Sequence, residues 1–356
     1  MIETPSTPRV IVVAPAAPGV GGQGSAAGDF AVGIASCGAR VVHVGPASRL
    51  TALQTVARRR PLRRFGALGR AADRRAVAAG IPELWDVSYS MPGFMPKGSD
   101  ARTRIVHSAT HHPLVVRAAL AAARRRTGGG QGFMTAAEAE LLVAELRRAD
   151  VVRAESESVA EELRNDPLVR APVVLAPPGV DLDRFRPGPK ADALTVAFVG
   201  TFSLWKGVDI LVDLAGRLRG VAQLATIGGP VCSWSRRITA GAPFAPQSDV
   251  PRLLARSHAL VLPSASDGFG YVVLEAMAAG AVPFVTPEVG AADLVRRLDP
   301  RLVLPPGEFA EGVSTLVTTL ALGDLSRAAR RLANEFDRPS MSAQAADRVM
   351  SAVRSL

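Results

Sequence analysis

The sequence predicts an α/β protein of two domains, each a parallel sheet flanked by helices, with the sheets facing a cleft between them. Three observations carry that expectation. Apolar, β-branched runs alternate with helical patterns from one end of the chain to the other, which means βαβ units and parallel sheets. The 356 residues exceed one typical domain and suit two. A segment rich in Pro, Gly and Asp, residues 176–190 (APPGVDLDRFRPGPK), is too irregular for helix or strand, and a fresh strand pattern, LTVAFVG, follows it directly.

In the first half the strand patterns fall at 9–14, 40–44, 84–89, 103–108, 150–154 and 172–175. Helical stretches lie between them at 25–36, 52–59, 113–126 and 136–148. The second half repeats the theme, with strands at 194–199, 222–227, 259–262, 282–286 and 302–304. Its helices are expected at 208–219, 250–256, 271–279 and 291–297. Residues 341–356 read as a short amphipathic helix packing back on the first domain, so the domains are placed at 1–180, 181–340 and 341–356. Alternation of this kind makes both domains Rossmann-like and puts ligands at the carboxyl ends of the strands.

Composition narrows the function. With 48% hydrophobic and 21% charged residues the chain is a packed globular protein, and no apolar run reaches the length of a membrane span. The start, MIETPSTPRVIVVAP, lacks the basic residues and cleavage site of a secretory signal, and Cys37 and Cys232 form neither a disulfide framework nor a metal spacing. A cytoplasmic location and no metal are the expectations. The net charge of +10 comes mostly from arginine clusters such as 58–60, 63–64, 74–75 and 124–126. These read first as a solvated basic surface and second as an attraction for anionic small molecules or lipid headgroups. With only 5% aromatic residues and no basic helix interleaved with them, nucleic acid is not an expected partner.

The most informative stretch is 263–280, PSASDGFGYVVLEAMAAG. A strand ends in a turn carrying Gly268 and Gly270, and a helix opens at Tyr271. Glycines let the backbone approach a ligand, and the free N–H groups of a first helical turn suit a phosphate. Asp267 precedes the turn and Glu275 lies one turn inside the helix, so two carboxylates flank the anion site and can accept hydrogen bonds from sugar diols. The plainer reading is a tight strand–helix turn with Asp267 as its cap. Upstream, VGTFSLWKG ends a strand and sets Lys206 and Gly207 at a helix entrance, where a lysine can reach an anion in the same crevice.

Taken in order, PPGVDLDRFRP, VGTFSLWKGVDILVDLAGRL and LPSASDGFGYVVLEAMAAGAVPFVTPEVGAADLV resemble the retaining GT-B glycosyltransferases of the GT4 family (glycosyltransferase group 1). The N-terminal APAAPGVGGQGSAAGDFAVGIASCGARVVHVG is similar to that family's first strand, glycine loop and helix. The resemblance implies a GT-B fold and retaining, metal-independent transfer from a nucleotide-diphosphate sugar, with UDP, GDP and dTDP left open as carriers. Glu275 matches the acid that grips the donor ribose, and Asp267 the acid that contacts the transferred sugar, though glutamate is usual there. Phe269 and Gly270 would offer N–H groups to the sugar, with Val273 and Leu274 beside the diphosphate and Gly268 of the turn also counted among the donor-binding residues. Lys206 matches the phosphate-binding lysine, and Thr201 stands where an arginine is common, removing one cation. Gly21 and Gly22 match a loop facing the cleft.

Three of the five histidines cluster in RIVHSATHHP, where the family places one near the sugar's reactive centre. His107 is the first candidate, His112 the second, and His111 is expected to point to solvent. His43 and His258 read as strand-edge residues. The preferred function is a soluble enzyme glycosylating a small molecule of specialised metabolism. Three rivals stay open: a membrane-surface transferase with a lipid acceptor, a degenerate coupling enzyme, and a nucleotide-sugar-binding partner protein. Base recognition is assigned to the 228–249 region, and oligomeric state is left undetermined.

Overall fold

A computed structural model describes residues 9–13, 21–44, 87–90, 102–128, 134–229, 238 and 249–356. The expected helix at 52–59, the arginines of 58–75, Cys232 and most of the 228–249 region lie outside the described residues. The chain divides into two units. The first comprises Met1–Leu114, Thr135–Pro178 and Pro339–Leu356, and the second Val115–Met134 and Gly179–Arg338.

Six strands form the sheet of the first unit: β1 (Arg9–Val13), β2 (Arg40–Val44), β3 (Val87–Ser90), β4 (Thr103–Ser108), β5 (Val151–Ala154) and β6 (Val173–Leu175). They lie in the order β2-β1-β3-β4-β5-β6, each pair parallel. A parallel sheet is covered on both faces, so its strands read as apolar runs rather than alternating ones. All four residues of β5 are buried. On one face Val10, Val12, Ile105 and Val151 pack with Phe30 and Ile34 of helix α1 (Gly21–Ser36) and with Val349 and Met350 near the C-terminus. Helix α2 (Pro113–Thr127) follows β4. From Val115 onward it groups with the second unit, departing from the expected boundary, because Val116, Leu120 and Ala123 enter that unit's core.

Helix α3 (Ala136–Leu146) starts at a capping box in which Thr135 and Glu138 satisfy each other's backbone N–H groups. Helix α4 (Glu157–Arg164), absent from the sequence reading, is capped by Ser156 and buries Val159, Ala160 and Leu163. Serine before an i, i+1, i+4 apolar stripe was the available signal.

The second unit carries β7 (Thr195–Val199), β8 (Gln223–Ile227), β9 (Ala259–Leu262) and β10 (Val282–Val285), parallel and ordered β10-β9-β7-β8. Around it run α5 (Val208–Arg217), α6 (Val250–Arg256), α7 (Tyr271–Ala278), α8 (Ala292–Arg296), α9 (Phe309–Thr319) and α10 (Leu322–Ala333), with α11 (Arg338–Arg354) closing the chain in the first unit. Phe198, Phe284 and Phe309 are fully buried in its core, each burial contributing about 1.5–3 kcal/mol.

Two expectations change here. Residues 302–304 are not a strand: Pro300–Leu302 is a single 3-10 turn, and Val303 makes only an isolated bridge to Val285. Leu302 belongs to the 3-10 turn and Pro305 and Pro306 follow directly, so the segment is long enough only for the one bridge, with Leu304 N–H donating to the Val285 carbonyl at 2.9 Å. The segment 176–190 is irregular but not a loose linker. Val180 and Phe185 are buried, Val180 bridges Asp337, and Arg330 donates to the carbonyl of Phe185 at 2.8 Å.

Candidate functional site

Strand order locates a site in the second unit. From β7 the chain first moves to β8 on one side and later to β9 on the other, so β7 and β9 flank a topological switch point. In open α/β sheets ligands bind at such a point, outside the carboxyl ends of the strands. The β7 loop ends in a 3-10 turn, Leu204–Lys206, and the β9 loop carries 263–270. The two meet through a backbone bond from Ala265 N–H to the Trp205 carbonyl at 2.9 Å.

Gly207 explains how they come so close. It is the left-handed N-cap of α5 with φ 70°, and a Cβ there would lie 1.9 Å from the carbonyl oxygen of Pro263. Glycine has neither the Cβ nor the penalty for positive φ. The β9 loop is held from its other side by the turn after β10. Asp267 N–H donates to Glu288, Gly290 N–H to Asp267, Ala291 N–H to Phe269, and the Thr286 hydroxyl to the Ser264 carbonyl at 2.7 Å.

Lys206 Nζ pairs with Asp267 Oδ2, both side chains being mostly buried, and the Ser264 hydroxyl lies 3.4 Å from the same oxygen. The hydroxyl of Ser266, 1% exposed, has no hydrogen-bond partner among the described residues. Gly270, at φ 88°, is the N-cap of α7, and no side chain caps that helix. Asp267 is therefore the partner of Lys206 and not the helix cap of the plainer reading. No acceptor among the described residues takes the N–H of Phe269 or Gly270. A cation, open amides and the positive end of a helix dipole thus converge, which is the chemistry that binds an anion.

Glu275 sits one turn into α7, partly exposed. Burial pushes its carboxyl up to about 7, against the opposing pull of the Arg184 and Arg338 cations. No hydrogen bond to its carboxylate arises from the described residues. A raised carboxyl pKa contributes stability that is fully present below about pH 4.5 and lost as pH rises through about 7.

The remaining expected residues divide. Thr201 is exposed, its hydroxyl 3.3 Å from that of Ser203, and brings no charge. The side chains of Val273 and Leu274 are buried in the core, and Val273 N–H is used by the Gly270 carbonyl at 2.8 Å. Their side chains therefore support the helix rather than line the crevice. Gly21 and Gly22 belong to the first turn of α1, not to a loop.

The three clustered histidines, His107, His111 and His112, are buried, which corrects the expectation for His111. His111 does not point to solvent: its Nδ1 lies 2.7 Å from Glu162 Oε1. His112 has both ring nitrogens engaged, Nε2 with Asp166 at 3.3 Å and Nδ1 as acceptor from Leu114 N–H at 3.4 Å. That leaves it no nitrogen for chemistry and makes it an anchor. Glu162 also accepts the His112 N–H at 2.8 Å, so one carboxylate ties the β4–α2 loop to α4. Glu162→Ala is expected to cost about 2 kcal/mol, the worth of its charge-assisted bonds, read as a lower midpoint in urea at unchanged slope.

His107 ends β4 and is 0% exposed, with Nε2 3.0 Å from Glu155 Oε1. Burial, and then the Arg153 cation, hold its pKa below the usual histidine value although Glu155 opposes them. His258 is a strand-end support whose Nδ1 accepts the Thr195 N–H at 3.1 Å. Sequence reasoning missed Arg153 and Glu155, since neither belongs to a motif and their burial is visible only in the fold.

Comparison with known proteins follows the same division. Residues 193–319 match the family described as Glycosyl transferases group 1. The D-inositol 3-phosphate glycosyltransferase of Geodermatophilus obscurus is 30% identical over 202 residues, 46% of this chain and 44% of the relative. That of Mycobacterium tuberculosis is 32% identical over 192 residues, 45% of this chain and 39% of the relative. The chain thus matches less than half the length of these relatives. Among solved structures, sucrose-phosphate synthase from Thermosynechococcus elongatus superposes with a TM-score of 0.75 at 16% identity, covering 98% of this chain and all of that one. HepE of Anabaena, in complex with UDP and glucose, gives 0.66 at 18% identity over 97% of this chain and all of that one. At such identities the likeness speaks for the fold, which is GT-B. No described helix is long and apolar enough to cross a membrane.

Proposed function

We propose, from the match of residues 193–319 to the family described as Glycosyl transferases group 1, that this chain is a retaining glycosyltransferase. In this reading a sugar moves from a nucleotide-diphosphate donor to a small-molecule acceptor. The observation that carries it is the convergence of Lys206, Asp267, the open amides of Phe269 and Gly270 and the uncapped start of α7, with Glu275 on that same helix.

Glycosyl transfer passes through an oxocarbenium-like state while negative charge grows on the leaving diphosphate. Groups that meet that charge more strongly in the transition state accelerate the reaction. Lys206 and the first-turn amides of α7 take this role. Asp267, released from Lys206 by the incoming phosphate, turns to the sugar hydroxyls. Glu275 accepts the ribose diol. No metal enters the scheme. The name of the curated relatives, glycosyltransferases of D-inositol 3-phosphate, supports a small polar acceptor over a lipid one.

Thermal shift with UDP, GDP, dTDP and ADP, run beside Glu275→Ala, tests the donor site. One nucleotide is expected to stabilise the protein by about 2.7 kcal/mol at a hundredfold excess over its dissociation constant, and the variant to lose that response. No response to any nucleotide at millimolar levels overturns the reading.

A second test follows from the carboxyl near 7. Diol hydroxyls donate to the ionised form, so donor affinity rises with pH from about 6 to about 8. A nucleotide sugar is the right probe, because its diphosphate diester does not titrate in this range. Titration calorimetry of Glu275→Gln should give a flat profile, and a wild-type profile equally flat removes Glu275 from the diol.

One observation favours a second reading. Lys206 and Asp267 satisfy each other, and Thr201 supplies no further cation. A protein that binds nucleotide sugars without turning them over would show the nucleotide response and no transfer.

A further inference from the structure

Lysine is scarce in this chain: of its 42 basic residues only Lys97, Lys190 and Lys206 are lysine. Arginine stays charged in every protein setting, whereas a lysine can give up its proton and act as an amine. Lys97 lies outside the described residues, and Lys206 belongs to the candidate donor site. Lys190 has no part in that site. It stands half-buried in the second unit, just before β7.

Its Nζ donates to the Ser257 carbonyl at 2.7 Å, at the entry to β9, and to the Gly280 carbonyl at 2.8 Å, in the turn after α7. That turn takes two more donors from α10, the Ser326 hydroxyl on the Gly280 carbonyl at 2.7 Å and Arg330 on the Ala278 carbonyl. Together they close the carboxyl end of α7, where the helix dipole is negative. An ammonium carries three N–H groups, a neutral amine two and a lone pair. The two carbonyls take two N–H groups, and among the described residues no third acceptor and no carboxylate is bonded to Nζ. The surroundings therefore satisfy the neutral amine in full and leave its lone pair unused. Burial favours the same form and holds the amine at about 8. His258, beside Ser257, supplies no opposing charge, since burial and then Lys190 hold its own pKa down. A desolvated lysine of this kind is a nucleophile.

We propose that Lys190 is an acylation site for small acyl phosphates, and that acylation loosens the carboxyl end of α7. The Nζ lone pair attacks the acyl carbon, the carbon–oxygen bond to phosphate breaks, phosphate leaves with that electron pair, and Nζ gives one proton to water. Partial burial favours an acetyl-sized group over a long one. An anionic acyl donor suits the place because Arg330 closes the same turn, its pKa lowered by burial and then by the Arg186 cation close to it. The product is a neutral amide with a single N–H. One of the two carbonyls then loses its donor, and the negative end of the helix loses a charge. None of this depends on the glycosyl-transfer reading.

The experiment follows acetylation of the full wild-type chain by acetyl phosphate, read at residue 190 by peptide mass spectrometry, with Nα-acetyl-lysine amide in the same tube as reference amine. At about pH 7.5 Lys190 is expected to react about tenfold faster than the reference, because far more of it is unprotonated. Its rate should level off above about pH 8, while the reference keeps rising towards about pH 10. In denaturing urea the advantage should vanish. A rate at or below the reference, a profile that rises alongside it, or an advantage that survives urea overturns the site. Lys190→Gln, which copies the uncharged acyl-lysine, should lower the melting temperature by about 3 °C. An unchanged melting temperature overturns the link to α7, and the wild-type rates decide the site whatever the variant does.

Discussion

Asp267→Asn is expected to separate binding from turnover. In the native protein an incoming diphosphate must take Lys206 from Asp267. Removing the carboxylate's charge leaves the lysine available, so a nucleoside diphosphate binds roughly fivefold tighter, equivalent to about 1 kcal/mol of ion pair no longer broken. In the proposed reaction turnover falls about a hundredfold, because the group assigned to the transferred sugar has lost its charge. Lys206→Ala behaves differently: the nucleotide binds more weakly and turnover falls by about 100-fold to 1000-fold. Calorimetry with the diphosphate and steady-state rates with the full donor distinguish the two variants. If Asp267→Asn weakens diphosphate binding, the two side chains do not compete and the proposed exchange of partners is wrong.

The largest structural effect is expected from Gly207→Ala. The new methyl carbon would meet the Pro263 carbonyl at 1.9 Å and sit on a backbone with φ 70°. The left-handed conformation alone costs about 1 kcal/mol, and the carbonyl belongs to the loop that carries Asp267, so it cannot give way alone. A total above about 3 kcal/mol is expected, read as a large fall in melting temperature together with loss of the nucleotide response. Gly216→Ala in α5 is the control, since a Cβ there meets nothing within 4 Å. It should leave stability unchanged or raise it by up to about 1 kcal/mol. Equal effects at both glycines would mean that the Gly207–Pro263 contact does not hold the two loops together.

The candidate site was legible for a local reason. Gly268, Gly270 and the helix that follows occupy consecutive positions, and strand–turn–helix geometry decides where their amides lie. Lys206 and Gly207 lie some sixty residues earlier, but a parallel sheet puts every strand's carboxyl end on one side, so their proximity also follows from the alternation of elements. Most strands were expected within a residue or two for the same reason, since β7, β9 and β10 are continuous apolar runs buried on both faces. The failures have physical causes too. The 302–304 run is apolar but proline-bounded, and α4 is short enough that its cap outweighs its pattern. The three histidines look alike in RIVHSATHHP, and only their partners distinguish them.

By itself, then, the sequence determined two parallel α/β units and the meeting of Lys206, Asp267 and the start of α7 at the carboxyl ends of the strands, because these depend on period, turn chemistry and strand direction. Only the tertiary structure decided that Lys206 and Asp267 hold each other, that His111 and His112 anchor a loop, that α2 serves the second core, and that Arg153, Glu155 and His107 share one buried corner. Those facts are pairings between distant positions and the removal of charges from water. Burial and partner are properties of the packed chain, and no stretch of residues carries them alone.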